Sequence, residues 1–282
     1  MQNKHLHKVL RLTQPCSRRE TAGWQVSQKP KRGFVSFESF VTKKTTMKIA
    51  IIGYGKMGHE VEKAALARNH EIVVTIDNPQ EWETRLDLLK QADVAIEFSQ
   101  PDQVDGNIYR CFDLHIPIVV GTTAWQDHFE EIKARCLAEK QSLFTAPNFS
   151  IGMNIMFMLN KQLARFAERY GYQLSLAETH HIHKLDKPSG TAVKLANDII
   201  ALNHDYDSWS LDTPADRTLC IKATREGEVF GIHSVEASSP ADKITLTHEA
   251  FNRQGLAAGA LAAAEFLIGK TGVFGMEDLF GK

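Results

Sequence analysis

The chain is short of net charge, of cysteine and of long apolar runs, and each shortage excludes something. Among 282 residues, 33 Lys+Arg meet 34 Asp+Glu, a formal charge of −1. Such balance argues against a general nucleic-acid or membrane-surface binder, and no nucleic-acid partner is expected. The four cysteines, Cys16, Cys111, Cys136 and Cys220, lie far apart and form no metal-type pair. Scattered reduced thiols are expected, and no metal site. No stretch approaches the roughly 20 apolar residues that span a bilayer. The first residues also lack the apolar block of a secretory signal. No internal repeat or low-complexity tract is present. What remains, at 43% apolar and 24% charged, reads as an ordinary soluble, cytoplasmic protein of one large domain or two modest ones.

The near-zero charge hides an asymmetry. Residues 1–46 hold ten basic and two acidic residues, a balance of +8, which leaves 23 basic against 32 acidic, or −9, for the remainder. The leader shows no sustained helical or strand period. It fits upstream sequence read through from a wrongly chosen start, an organelle transit peptide, or a disordered binding tail. The first is favoured, because Met47 stands directly before the first core-like run.

Met47-Lys48 opens the run Ile49-Ala50-Ile51-Ile52, which ends in Gly53. A continuous apolar run closed by glycine predicts a buried parallel strand. Further strand-like runs occupy 71–76, 93–98, 116–120 and 142–146, with helix-like stretches near 57–68, 81–91, 102–114 and 125–140. This alternation predicts an α/β chain with a Rossmann-like, doubly wound parallel sheet. After the long segment 151–170 the rule breaks: strand-like 172–183, helix-like 192–202, then strand-like runs near 217–225, 231–239 and 243–250. Consecutive strands predict a smaller α+β substrate domain with a mixed or antiparallel sheet. The Ala-rich, helical 253–268 returns to the first domain. The expected organisation is therefore a leader at 1–46, a dinucleotide-binding domain at 47–149 and 251–282, and a substrate-binding and oligomerisation domain at 150–250.

Gly53-Tyr54-Gly55-Lys56-Met57-Gly58 matches GxGxxG between the first strand and the first helix. The first glycine permits the turn, the second lets backbone approach a pyrophosphate, and the third allows close helix–strand packing. Asp77 ends the second strand, 24 residues after Gly53, where an acid accepts the ribose hydroxyls and repels a 2′-phosphate. It also fits a turn aspartate opening Asp77-Asn78-Pro79. No basic residue follows before Arg85, which leans toward NADH or dual use over strict NADPH dependence. Gly121, Thr122 and Thr123 follow one strand, and Ala146, Pro147, Asn148 and Phe149 another. In an open α/β sheet both sets lie where the nicotinamide half of the cofactor binds.

The densest chemistry runs from Glu178 to Thr191, with His180, His181, His183, Lys184 and the turn Ser189-Gly190-Thr191. If the strand continues, His180, Ile182 and Lys184 share one face and His181 and His183 the other. The helix starting near Thr191 offers free N–H groups to a carboxylate or phosphate. Imidazoles, an ammonium and a helix N-terminus suit an anionic substrate that must also receive a proton. Three clustered histidines could instead hold a metal or lie on the surface, but no carboxylate or cysteine pair at familiar spacing accompanies them.

The segment His180-His181-Ile182-His183-Lys184-Leu185-Asp186-Lys187-Pro188-Ser189-Gly190-Thr191-Ala192 closely resembles the signature of the dihydrodipicolinate reductase family. The likeness extends to residues 53–58, 121–123, 148–152 and 225–233, covers essentially 47–282, and excludes the leader. It implies NAD(P)H-dependent reduction of dihydrodipicolinate to tetrahydrodipicolinate in lysine and diaminopimelate biosynthesis. It further implies His180 as catalytic acid/base, Lys184 as a proton donor that neutralises developing charge, and His181 as a substrate contact. Gly190 and Thr191 would hold a ring carboxylate of the small dicarboxylate substrate. A cation facing a dicarboxylate both binds it and withdraws electrons from the reducible bond. Two departures bear on cofactor choice: the glycine loop is shorter than in many relatives, and the segment after Asp77 lacks their basic residue.

Two rivals stand beside this reading. Another Rossmann amino-acid or semialdehyde dehydrogenase would explain the first domain but not the His-rich segment. A non-catalytic NADH-sensing regulator would need a DNA-binding motif, and no helix-turn-helix pattern is evident in 1–46. The resemblance implies a homotetramer assembled through the second-domain sheet. Hinges near 148–152 and 250–255 would let that domain close.

Overall fold

The computed structural model of the chain describes residues 46–213 and 215–281. The expectations for the leader and for Cys16 therefore fall, apart from Thr46, outside the described residues.

The elements run β1 (Lys48–Ile52), α1 (Lys56–Ala67), β2 (Glu71–Ile76), α2 (Pro79–Thr84), α3 (Leu86–Leu89), β3 (Val94–Glu97), α4 (Val104–Asp113), β4 (Ile118–Val120), α5 (Phe129–Ala138) and β5 (Ser142–Thr145). There follow α6 (Ile151–Tyr170), β6 (Gln173–His180), α7 (Gly190–Ile200), β7 (Ser208–Leu211), β8 (Thr218–Arg225), β9 (Ile232–Ser238), β10 (Lys243–Glu249), α8 (Gln254–Leu267), β11 (Gly272–Phe274) and α9 (Met276–Leu279).

The first sheet has the order β11-β5-β4-β3-β1-β2, and every pair in it is parallel. Its middle strands are buried on both faces, so Val94, Ala95, Ile96, Ile118, Val119 and Val120 are all inaccessible. That is why these strands read as unbroken apolar runs. One face packs under α1 and α8, through Val61, Ala65, Ala257, Ala260, Leu261 and Ala264. The other packs under the helices that carry Trp82, Ile108, Phe112 and Ile132. The Ala-rich α8 packs on the first sheet, and β11 pairs with β5 at its edge. The helix expected over 81–91 is two short ones, interrupted at Arg85, whose backbone leaves helical values.

The second sheet has the order β10-β9-β6-β8-β7 and is mixed. β6 runs parallel to β8 and antiparallel to β9, while β7 runs parallel to β8. β6 alternates strictly: Leu174, Leu176, Glu178 and His180 point inward beneath α6 and α7. Gln173, Ser175 and Ala177 face outward. α6 starts at Ser150, whose hydroxyl accepts the Met153 N–H at 3.2 Å, and stops at Gly171 in the left-handed conformation.

β6 ends at His180, and the alternation expected to carry on to Lys184 does not. The chain turns instead, with Lys184 N–H donating to the His181 carbonyl at 3.1 Å and Ile182 N–H to the Gly227 carbonyl at 3.1 Å. Among the described residues Cys111, Cys136 and Cys220 are free thiols.

Candidate active site

The turn after β1 has the geometry a dinucleotide loop needs. Gly53 sits at φ +85°, and a Cβ there would meet the Phe98 carbonyl oxygen at 2.2 Å, so only glycine fits. Gly55 caps the N-terminus of α1. Gly53, Gly55 and Asp77 line a cavity of about 540 Å³ with Asn78, Trp82, Ser99 and Arg110. Asp77 lines this cavity at the end of β2. Its Oδ1 accepts the Tyr54 N–H at 2.7 Å, tying the glycine loop to the second turn. Asn78, not Asp77, caps α2, accepting the Glu81 N–H at 3.2 Å with Pro79 in the first turn. Arg85 is drawn away by Glu81 and by the Thr75 carbonyl, at 2.8 and 2.7 Å. The basic residue that does line the cavity is Arg110, from α4, stacked 5.0 Å over Trp82. Sequence spacing gave no hint of it.

Other expected cofactor residues divide. Gly58 is buried in close helix–strand packing, Lys56 is exposed at the start of α1, and Met57 packs partly into the core. Gly121 rests on the ring of Phe98, and the buried Thr122 hydroxyl lies against the Glu97 carboxylate. Ala146 and Phe149 are core residues, Phe149 between Phe98 and Phe144. Pro147, Asn148 and Thr123 line a cavity farther along. Below these strand ends lies Glu97, fully buried at the end of β3. Burial pushes its carboxyl upward, against the hydrogen bonds from Ser99 and Asn107.

That farther cavity, about 440 Å³, brings together Thr123, Pro147 and Asn148 from the first sheet with His180, Lys184, Ser189, Gly190 and Thr191 from the second. An adjoining cavity of about 430 Å³ adds His181, His233, His248 and Arg253. Asn148, His180 and Thr191 line both. His183 lies elsewhere, exposed and 3.3 Å from Glu228. Ser189 caps α7, its hydroxyl accepting the Ala192 N–H at 3.2 Å. Lys184 pairs with Asp186 at 2.8 Å.

His180 is buried, and burial first, then His233, Lys184 and Arg225, push its imidazole down to about 4, with only Glu178 opposing. Burial would raise Glu178, but bonds from His233, Ser189 and Arg225 hold its carboxyl at about 2. Glu178, His180 and His233 set a carboxylate oxygen and two ring nitrogens within 4.8 Å of one another. Glu178, two residues before His180, thus joins the histidines, and its oxygens accept hydrogen bonds from Ser189 and Arg225. Arg225 also clamps the turn, with Nη2 2.5 Å from the Asp186 carbonyl.

A Rossmann-like parallel sheet with a glycine turn after its first strand, joined to a second, mixed sheet that carries a histidine-lined pocket, is the architecture of a nicotinamide-dependent oxidoreductase. Family models for the N-terminus and the C-terminus of dihydrodipicolinate reductase match residues 47–149 and 152–280. The chain belongs to that family. It is 42% identical over 234 residues to a 4-hydroxy-tetrahydrodipicolinate reductase of Christiangramia forsetii, covering 83% of this chain and 97% of that protein. It is 34% identical over 202 residues to one of Neisseria gonorrhoeae, covering 69% and 74%. A dipicolinate-bound dihydrodipicolinate reductase from Paenisporosarcina sp. TG-14 shares the fold at a TM-score of 0.67 and 22% identity, covering 83% of this chain and 99% of that one.

Proposed function

We propose that the protein reduces dihydrodipicolinate to tetrahydrodipicolinate with a reduced nicotinamide cofactor, in lysine and diaminopimelate biosynthesis. The observation that carries this reading is the cavity shared by His180, Lys184 and the Ser189–Thr191 turn on one side and Thr123 and Asn148 on the other. The glycine turn and Asp77 fit the dinucleotide. When bound, that group supplies the hydride.

The chain's own residues do the rest. Gly190 and Thr191, at the N-terminus of α7, offer N–H groups to a ring carboxylate. Lys184 exchanges Asp186 for the dicarboxylate, and His181 borders the same substrate from the adjoining cavity. The neutral, buried imidazole of His180 is poised to take up a proton as a dianion enters, because opposite charge favours the imidazolium. His180 or Lys184 then delivers the proton.

Asp77 supports NADH use, while Arg110 in the same cavity supports tolerance of a 2′-phosphate, so dual use is the reading. We read the first sheet with α8 and β11 as the nucleotide domain and the second sheet as the substrate domain. The outward face of β6 supports a homotetramer built through that sheet. Residues near both crossings, Asn148, Ser150, Ala250 and Arg253 among them, line one cavity, which supports closure by hinge motion there. Among the described residues no helix is long and apolar enough to cross a membrane. The reading assigns the enzyme to the cytoplasm, where reduced nicotinamide cofactors are supplied.

The test follows NADH and NADPH absorbance with enzymatically generated dihydrodipicolinate. Substrate-dependent oxidation is expected, and its absence with both cofactors overturns the reading. H180Q and K184M should each lower kcat by about 100-fold or more and leave cofactor KM within a few-fold.

A further inference from the structure

The second sheet gathers more charge around His180 than one imidazole needs. Glu178 lies two residues earlier on β6, on the same inward face, and is fully buried. Antiparallel pairing sets His233 of β9 directly opposite Glu178, and parallel pairing sets Arg225 of β8 opposite His180. Ser189 arrives from the turn before α7. Both carboxylate oxygens are engaged. Oε1 accepts the Ser189 N–H at 3.0 Å and Arg225 Nη2 at 3.1 Å. Oε2 accepts the Ser189 hydroxyl and lies 3.4 Å from His180 Nδ1 and 3.6 Å from His233 Nε2.

We infer that Glu178 is a positioning residue: one buried carboxylate ties the anion-binding turn of α7 to the ring of His180 and holds that ring ready to carry a proton. The inference rests on the proposed role of His180. A structural ion pair with Arg225 would already neutralise the carboxylate. It leaves unexplained why the other oxygen faces His180 Nδ1, a buried atom with no hydrogen-bond partner. Once His180 takes a proton, Nδ1–H has an acceptor within a small ring rotation. The groups facing His180 are Glu178 from its own strand, Arg225 from β8, His233 from β9 and Lys184 from the following turn. His248 of β10 stands behind His233, and Asp186 is taken up by Lys184. Of the four that face the ring, only Glu178 favours its charged form. Replacing Glu178 and replacing His233 should therefore move His180 in opposite directions.

The experiment uses the full chain with E178Q and H233Q, reading steady-state kinetics together with the NMR titration of the His180 ring. E178Q should lower kcat about tenfold or more, raise KM for dihydrodipicolinate and leave KM for NADH and NADPH within twofold. It should shift His180 to lower pH, whereas H233Q should shift it to higher pH. E178D, which keeps the charge, should restore the titration of His180 toward wild type. A folded E178Q with kcat and substrate KM within twofold of wild type overturns the inference. So does a shift of the same sign in both variants. If E178Q does not fold, H233Q decides alone, and a His180 titration that is unmoved or lowered overturns it. Wild-type kcat in H180Q refutes the role of His180 itself, and this inference with it.

Discussion

Gly231 closes against the ring of His180: a Cβ built at 231 would lie 3.0 Å from Nε2 and 3.3 Å from Cδ2. The backbone there, at φ +155°, also disfavours a side chain. G231A must therefore displace the imidazole or bend the approach to β9. We expect kcat to fall about 10- to 100-fold, the order associated with a misplacement of about 1 Å, with cofactor KM unchanged. Steady-state kinetics check this, and an unaltered kcat would mean the ring has room to move.

Asp77 gives a prediction about cofactor choice. On the proposed reading, D77A removes the acceptor for ribose hydroxyls and the negative charge that repels a 2′-phosphate. KM for NADH should rise about tenfold, equivalent to ~1.4 kcal/mol, and the ratio of kcat/KM for NADPH over NADH should increase. The Tyr54 N–H also loses its acceptor, costing the glycine loop about 1 kcal/mol. Equal losses with both cofactors would assign Asp77 to the loop alone.

Arg225 holds the turn after β6 with its fork, reaching the Lys184 carbonyl at 3.3 Å, the Asp186 carbonyl at 2.5 Å and Glu178 at 3.1 Å. Lysine keeps the charge but not the planar fork. R225K should lose about 1–3 kcal/mol in urea unfolding and become more easily cleaved by protease within 182–188. Resistance equal to wild type would show that the turn needs no such clamp.

Acid should destabilise the protein before carboxylates in general are protonated. His180 is lowered from 6.5 to about 4, so the unfolded chain binds its proton first as pH falls through 6.5. The stability this group contributes is present above pH 6.5 and is lost progressively toward pH 4, to the extent of about 3 kcal/mol. Glu178, lowered from 4.5 to about 2, adds a loss of the same sign below 4.5. Urea unfolding at pH 7.5, 5.5 and 4.5 should give falling free energies, and H180Q should flatten the upper part of that decline.

Much of this was legible in the sequence, and the remainder was hidden for physical reasons. Apolar runs buried on both faces announce themselves, so β1 and β2 fall where the sequence puts them. The glycine turn and the Ser189 cap are local devices, readable within a few residues. His233 and Arg225 are not local: strand register brings them to Glu178 and His180, and no window of sequence contains that register. Arg110 reaches the cavity beside the glycine turn from the second turn of α4, stacking on Trp82, again a tertiary choice. The strand running past His180 failed because Gly227 offers its carbonyl to Ile182 from a neighbouring turn, which redirects the backbone. The short strands β7 and β11, of four and three residues, carry too little pattern to register.

The place of β11 has a consequence for how the protein is made. Gly272 pairs with Ser142, Val273 with Leu143 and Phe274 with Phe144, so the outer edge of β5 is closed by residues translated after the whole second sheet. Until 272–274 leave the ribosome, that edge offers open backbone groups beside a fully buried-type phenylalanine. Synthesis thus leaves an adhesive margin exposed from the completion of β5 until β11 follows. A message cut short between the codons of β5 and codon 272 would yield a chain whose first sheet can stick to its own copies.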